Sequence, residues 1–122
     1  MILAEPLLVY SYNRCSTCRK ALNWLTDQGL AHDVHDIVDH PPSREDLVAA
    51  HAFLGDRKLL FNTSGQSYRS LGSSIVKAMT DAEALDALSR DGKLIKRPFL
   101  KRPDGTFLVG FKPEVWASAL QN

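Results

Sequence analysis

Apolar residues in this chain fall into short runs of two kinds, and the kinds alternate. Leu7, Leu8, Val9 and Tyr10 form a continuous apolar run of strand length, followed by a polar loop at Ser11 to Arg14. From Ser16 the positions Ala21, Leu22 and Leu25 recur at helical spacing, and Gly29 supplies a stop. Part of the stretch 31–38 alternates loosely around Val34, Ile37 and Val38 and predicts a second strand, closed by His40-Pro41-Pro42. A helix between two strands makes them parallel neighbours. Ser43 then reads as an N-cap, with Glu45 and Asp46 in the first turn and Leu47, Val48 and Ala50 behind it. Arg57 to Phe61 is a short apolar turn, and Asn62-Thr63-Ser64-Gly65 is a polar loop. Tyr68, Leu71, Ile75, Val76 and Met79 predict a helix broken near Gly72. Thr80 with Glu83 three residues on is a capping box for a helix built on Ala84, Leu85 and Leu88, ended by Asp91-Gly92. Phe99–Lys101 and Phe107–Val109 read as a hairpin across a Pro-Asp-Gly turn, and Pro113 opens a closing helix with Val115, Trp116, Ala119 and Leu120.

The order is therefore βαβ, a helical stretch over about 42–90, then ββα. This predicts one α/β domain over residues 1–122: a mixed four-stranded sheet flanked by helices, with a helical insertion in the middle. Composition changes this little. A 44% apolar, 24% charged chain of 122 residues can bury one core. A net charge of +1 gives no reason to expect nucleic acid as a direct partner. No run reaches the roughly 18 apolar residues of a membrane span. Met1 to Pro6 has no basic leader, so the expectation is a cytoplasmic protein without a membrane partner.

The chemistry sits at the junction of the first strand and first helix, where Cys15-Ser16-Thr17-Cys18 holds both cysteines of the chain. A cysteine pair in that place is the geometry of a thioredoxin-like redox site. Free N–H groups and the positive end of the helix dipole point at the first cysteine. Such surroundings lower a thiol pKa from about 8.5 into the range of roughly 3.5–7.5. Arg14, Arg19 and Lys20 add positive charge, and Cys18 lies one turn along, placed to resolve a mixed disulfide. Two competing readings are weaker. Packed core thiols do not explain the loop–helix junction. A zinc site using His32 and His35 has the wrong histidine spacing and a helix on the wrong side, so no metal is expected, and His32, His35, His40 and His51 are read as surface residues. Trp24, Tyr68 and Trp116 occupy apolar helix positions and read as core. Lys93, Lys96, Lys101 and Arg102 form a basic cluster that reads as a solvated rim, or else as a docking surface.

Four stretches carry a resemblance: Tyr12 to Ala21, Leu60 to Gly72, Leu94 to Leu100, and Leu108-Val109-Gly110-Phe111. Through them the chain resembles the arsenate reductase (ArsC)/Spx family of the thioredoxin-like superfamily. The resemblance implies a nucleophilic Cys15 that attacks arsenate or another small oxyanion, with Cys18 or glutathione resolving the adduct. It implies Arg97 as an oxyanion-binding and thiolate-facing arginine, and Pro98 as the cis-proline opposite the nucleophile. Arg14, Ser16, Thr17, Arg19 and Asn62 complete the set expected to bind substrate or stabilise the thiolate. No bound cofactor is expected; glutathione with glutaredoxin, or thioredoxin, would supply electrons to a monomeric enzyme. Some departures point elsewhere. Family arginines are replaced at Phe61 and Gly110, a family histidine is Ser11, and a hydroxyl residue of the reductases is Cys18. These features are similar to the Spx/MgsR branch, which implies the alternative of a redox-sensing regulator binding the RNA polymerase α subunit.

Overall fold

The strand-forming run at the start is the second strand in space, and everything else is arranged on its two faces. The computed structural model describes residues 5–121; residues 1–4, which include most of the leader region discussed above, and residue 122 lie outside the described residues. Strand β1 (Leu7–Ser11) pairs in parallel with β2 (His32–Asp36) and antiparallel with β3 (Phe99–Lys101), which in turn pairs antiparallel with β4 (Phe107–Val109). The sheet order is β2-β1-β3-β4, the mixed four-stranded arrangement expected from the element order.

Side chains alternate across the sheet, so each strand feeds two cores. Leu7 and Val9 of β1, Leu100 of β3 and Leu108 of β4 pack with Ala21 and Leu25 of helix α1 (Ser16–Asp27) and Trp116 of the closing helix. Tyr10, Phe99 and Phe107 point the other way. They meet Leu47 and Ala50 of helix α2 (Arg44–Leu54) and Ala84, Leu85 and Leu88 of the helix that ends the insertion. The Ser43 hydroxyl caps α2 by accepting from the Asp46 N–H at 3.0 Å.

The insertion's helices and turns are joined by a non-helical stretch at residues 61–65. A short 3₁₀ turn over Arg57–Leu60 leads to α3 (Gln66–Leu71), α4 (Ser73–Ala78) and α5 (Asp81–Arg90). The break between α3 and α4 falls at Gly72, and Thr80 and Glu83 complete both hydrogen bonds of the capping box on α5. Helix α6 (Pro113–Leu120) closes the chain. Among the described residues, no helix is long and apolar enough to cross a membrane.

Two boundaries differ from expectation. Ser11 belongs to β1 rather than to the loop. Strand β2 stops at Asp36, before the apolar Ile37 and Val38, because the Asp36 carboxylate accepts from the Val38 and Asp39 N–H groups and turns the chain. Ile37 is then fully buried beside the short 3₁₀ turn Gly92–Leu94. A Cβ on Gly92 would lie 1.8 Å from the Ile37 carbonyl oxygen, so Gly92 is required by close backbone approach and not only as a helix stop. Gly92→Ala is expected to destabilise the protein by about 1–3 kcal/mol. A urea-unfolding midpoint equal to that of the parent would show that the two backbones do not meet this way.

Candidate active site

Helix α1 begins at a cysteine. Cys15 is its N-cap, with extended backbone (φ −101°, ψ 112°), and its sulfur accepts from the Cys18 N–H at 3.2 Å. A thiolate here takes the place that a Ser or Asp oxygen takes at ordinary N-caps, with the helix dipole behind it. The loop is held from both sides. The Cys15 N–H donates to the Tyr12 carbonyl at 3.0 Å, and the Arg19 N–H donates to the Cys15 carbonyl at 3.1 Å. Cys15 is half-buried and Cys18 fully buried, and both thiols are free.

Arg97 reaches the same place from the segment that leads into β3. Its guanidinium carbon lies 4.7 Å from the centroid of the Tyr12 ring, a cation–π contact that holds the planar group over the cysteine loop. The Arg97–Pro98 peptide is cis, and Pro98 is buried. The two thiols are pushed in opposite directions. Burial works to raise the Cys15 thiol, but the Cys18 thiol and amide and the Arg97 guanidinium outweigh it, and the net direction is down. Cys18 is pushed up to about 11, first by burial and then by its neighbour Cys15, while the Tyr12 backbone and the Ser11 hydroxyl act the other way. The pair is thus sorted into a half-buried thiol shifted toward ionisation and a fully buried thiol shifted away from it.

Cys15 opens into a cleft of about 870 Å³. Arg14, Ser16, Thr17, Asn62 and Arg97 line it alongside Cys15. Asn62 folds over its own turn: its side-chain oxygen accepts from the Ser64 hydroxyl at 3.3 Å, and its amide nitrogen fills the space above Gly65. Arg19 and Lys20 lie outside the lining. Arg19 turns back to donate to the Asn13 carbonyl at 2.9 Å, so it steadies the cysteine loop rather than facing the cleft. The basic cluster disperses. Lys101 pairs with Asp46 at 2.8 Å, and Arg102 with Asp104 at 2.6 Å; only Lys96 reaches the cleft. Lys58 and Lys112 join it from distant parts of the chain, with no local signal in the sequence to mark them. No Asp or Glu is among the described residues that line the cleft, so the charge it presents is wholly positive. Trp116 forms part of the wall, its indole N–H donating to the Gly110 carbonyl at 3.1 Å. Trp24 and Tyr68 pack at the edges of the two cores. Among the described residues, no group of three or more His, Cys, Asp and Glu is placed to hold a metal ion.

The ArsC family model matches residues 10–119. The chain belongs to the ArsC family. The protein YusI of Bacillus subtilis is 42% identical over 88% of this chain and 92% of its own length. An arsenate reductase of Acidiphilium multivorum is 30% identical, covering 84% of this chain and 72% of its own. The crystal structure of a putative ArsC family related protein from Bacteroides fragilis superposes with a TM-score of 0.88 at 40% identity, covering 95% of this chain and 98% of its own. Relatives named as the regulators MgsR and Spx match as well. Phe61 is buried with its ring 6.0 Å from that of Tyr68, and Gly110 takes φ +67°.

If the guanidinium favours the Cys15 thiolate, removing it raises the thiol's pKa and leaves less thiolate at neutral pH. Arg97→Met is therefore expected to slow alkylation of Cys15 by neutral iodoacetamide severalfold near pH 7, with the two rates converging at high pH where the thiol is ionised in both. Equal rates at pH 7 would remove Arg97 from the activation of Cys15.

Proposed function

We propose that this ArsC-family protein is a thiol oxidoreductase in which the Cys15 thiolate attacks an anionic substrate, with arsenate as the most concrete candidate. One observation carries the reading: the sulfur that caps α1 faces Arg97 in a cleft whose charged lining, among the described residues, is positive. A thiolate is ordinarily a poor partner for an anion. Arg97, with Arg14 at the rim, offsets that repulsion and supplies charge-assisted donors to the substrate oxygens. Ser16 and Thr17, in the first turn of α1, add hydroxyl groups within the same cleft.

The reaction follows from the sorted thiol pair. The Cys15 sulfur forms a bond to arsenic, and one arsenate oxygen leaves as water after protonation. Cys18 then loses its proton and attacks the Cys15 sulfur. A sulfur–sulfur bond forms, the sulfur–arsenic bond breaks, and its electron pair stays on arsenic, which leaves as arsenite. Two electrons have passed from the two thiols to arsenic. Glutathione with glutaredoxin, or thioredoxin, returns two electrons to the disulfide. Glutathione attacking the Cys15 adduct is the intermolecular version of the same step. The high pKa of Cys18 suits the resolving role: it stays protonated while Cys15 meets its substrate.

A second reading is supported by the relatives named MgsR and Spx and by the absence of a cation at Phe61 and Gly110. In it the same thiol pair senses oxidation, and the protein binds the RNA polymerase α subunit.

Arsenate-dependent NADPH consumption, with either a glutathione/glutaredoxin or a thioredoxin system, separates the two. The enzyme reading expects turnover with one system and its loss in Cys15→Ser. Cys18→Ser is expected to abolish turnover with thioredoxin and to spare it if glutathione resolves. No turnover with either system, together with redox-dependent capture of the α subunit, would overturn the enzyme in favour of the regulator.

A further inference from the structure

The cleft is far larger than a tetrahedral oxyanion requires. At about 870 Å³ it lies near the upper end of the roughly 300–1,000 Å³ typical of pockets for organic ligands. Its walls are also mixed: Phe61, Phe111, Val115 and Trp116 supply apolar surface between the cations. A substrate that uses this space has a body beyond the atom that reacts at Cys15.

Lys96 is the cation whose place in that space is built by the fold. Its backbone N–H donates to the Leu60 carbonyl at 2.7 Å, beside the bridge between Phe61 and Ile95. Its side chain runs over Gly110. A Cβ on Gly110 would lie 3.3 Å from the Lys96 Cε, tighter than ordinary van der Waals contact. Gly110 itself is fixed, its N–H donating to the Pro98 carbonyl at 2.9 Å and its carbonyl accepting from Trp116. The missing side chain at 110 therefore leaves a channel that the lysine stem occupies. Among the described residues no carboxylate pairs with Lys96, in contrast to Arg57, Lys101 and Arg102 elsewhere on the molecule. The groups that act most strongly to lower the Cys15 thiol are Cys18 and Arg97.

We propose that Lys96, laid across the bare Gly110, is a specificity-determining cation: it binds an anionic group on an organic disulfide, whose sulfur–sulfur bond breaks as the Cys15 sulfur bonds to one half and the other half leaves as a thiolate. This rests on the reading of Cys15 as the nucleophile. It assigns Lys96 to recognition of the substrate's body, and Arg97 to the thiolate and the reacting centre.

Two disulfide probes isolate the effect. Dithionitrobenzoate carries a carboxylate on each ring, and 2,2′-dithiodipyridine is neutral at pH 7. With either, the Cys15 thiolate forms a mixed disulfide, the probe's sulfur–sulfur bond breaks, and one aromatic thiolate leaves. The ratio of the two second-order rates reads anion recruitment independently of how much Cys15 is ionised, with Cys15→Ser as the blank. Lys96→Met keeps a stem of similar length over Gly110 and removes the charge. It is expected to lower the ratio by about two- to fivefold at low salt. Lys96→Arg is expected to restore it, and the difference is expected to shrink at roughly 1 M salt. A ratio unchanged in Lys96→Met overturns the proposal, as does an equal fall with both probes, which would mean that the stem matters and the charge does not. The pH profile of the neutral probe tests the underlying reading separately. A Cys15 that titrates as an ordinary thiol contradicts the assigned nucleophile, whatever Lys96 does to the ratio.

Discussion

The N–H of Cys18 donates to the sulfur of Cys15, and most of the site's organisation serves that one contact. A helix start has backbone donors that need an acceptor, and here the acceptor is a sulfur instead of an oxygen. This makes the first turn of α1 and the reactive thiol a single object: the helix is capped by the group that it activates. The strand β1 delivers the chain to that point, the Tyr12 carbonyl holds the Cys15 N–H, and Arg19 ties back the loop. From the other direction β3 carries Arg97 to the Tyr12 ring. A parallel pair and an antiparallel pair, sharing β1, are needed to bring both ends together.

Charge is distributed to match. On the outer surfaces cations such as Lys101 and Arg102 meet carboxylates. In the cleft, among the described residues, they do not, and the apolar walls around them keep the local dielectric lower than that of bulk water. Exposed ion pairs contribute little to stability; unpaired cations in a shared cleft contribute a field for an incoming anion. The same arrangement distinguishes the two cysteines. Cys15 faces the field and Cys18 faces the core, so burial prevails at Cys18, while at Cys15 the donors together outweigh it.

Much of this was legible in the sequence, because local rules decide most of the elements. The apolar run at Leu7 to Tyr10, the N-cap at Ser43, the capping box at Thr80 and the Pro-Asp-Gly turn each act within a few residues, and each forms as its chemistry dictates. The cysteine pair was legible for the same reason, since a helix start activates a thiol whatever lies around it. The end of β2 was not, because Ile37 looks like a strand residue until the Asp36 carboxylate turns the chain. Arg19 was placed at the thiolate by spacing alone; a helical side chain leans back toward the N-terminus, and it met the Asn13 carbonyl there. Lys58, Lys96 and Lys112 come from three separate segments, and only the closed fold brings them to one cleft. Gly92 reads as a helix stop, yet it is demanded by the Ile37 carbonyl, far away in the chain; Gly110, read only as the place of a replaced family arginine, takes φ +67° and lies against the Lys96 stem.

The most direct test of this account is an ultraviolet thiolate titration of the reduced protein, with Cys15→Ser and Cys18→Ser to assign each step. The account predicts two separate ionisations. One, lost in Cys15→Ser, lies below the ordinary cysteine value of about 8.5. The other, lost in Cys18→Ser, lies near 11. Two thiols ionising together close to the ordinary value would contradict it, because the helix cap, Arg97 and burial would then have failed to tell the two cysteines apart.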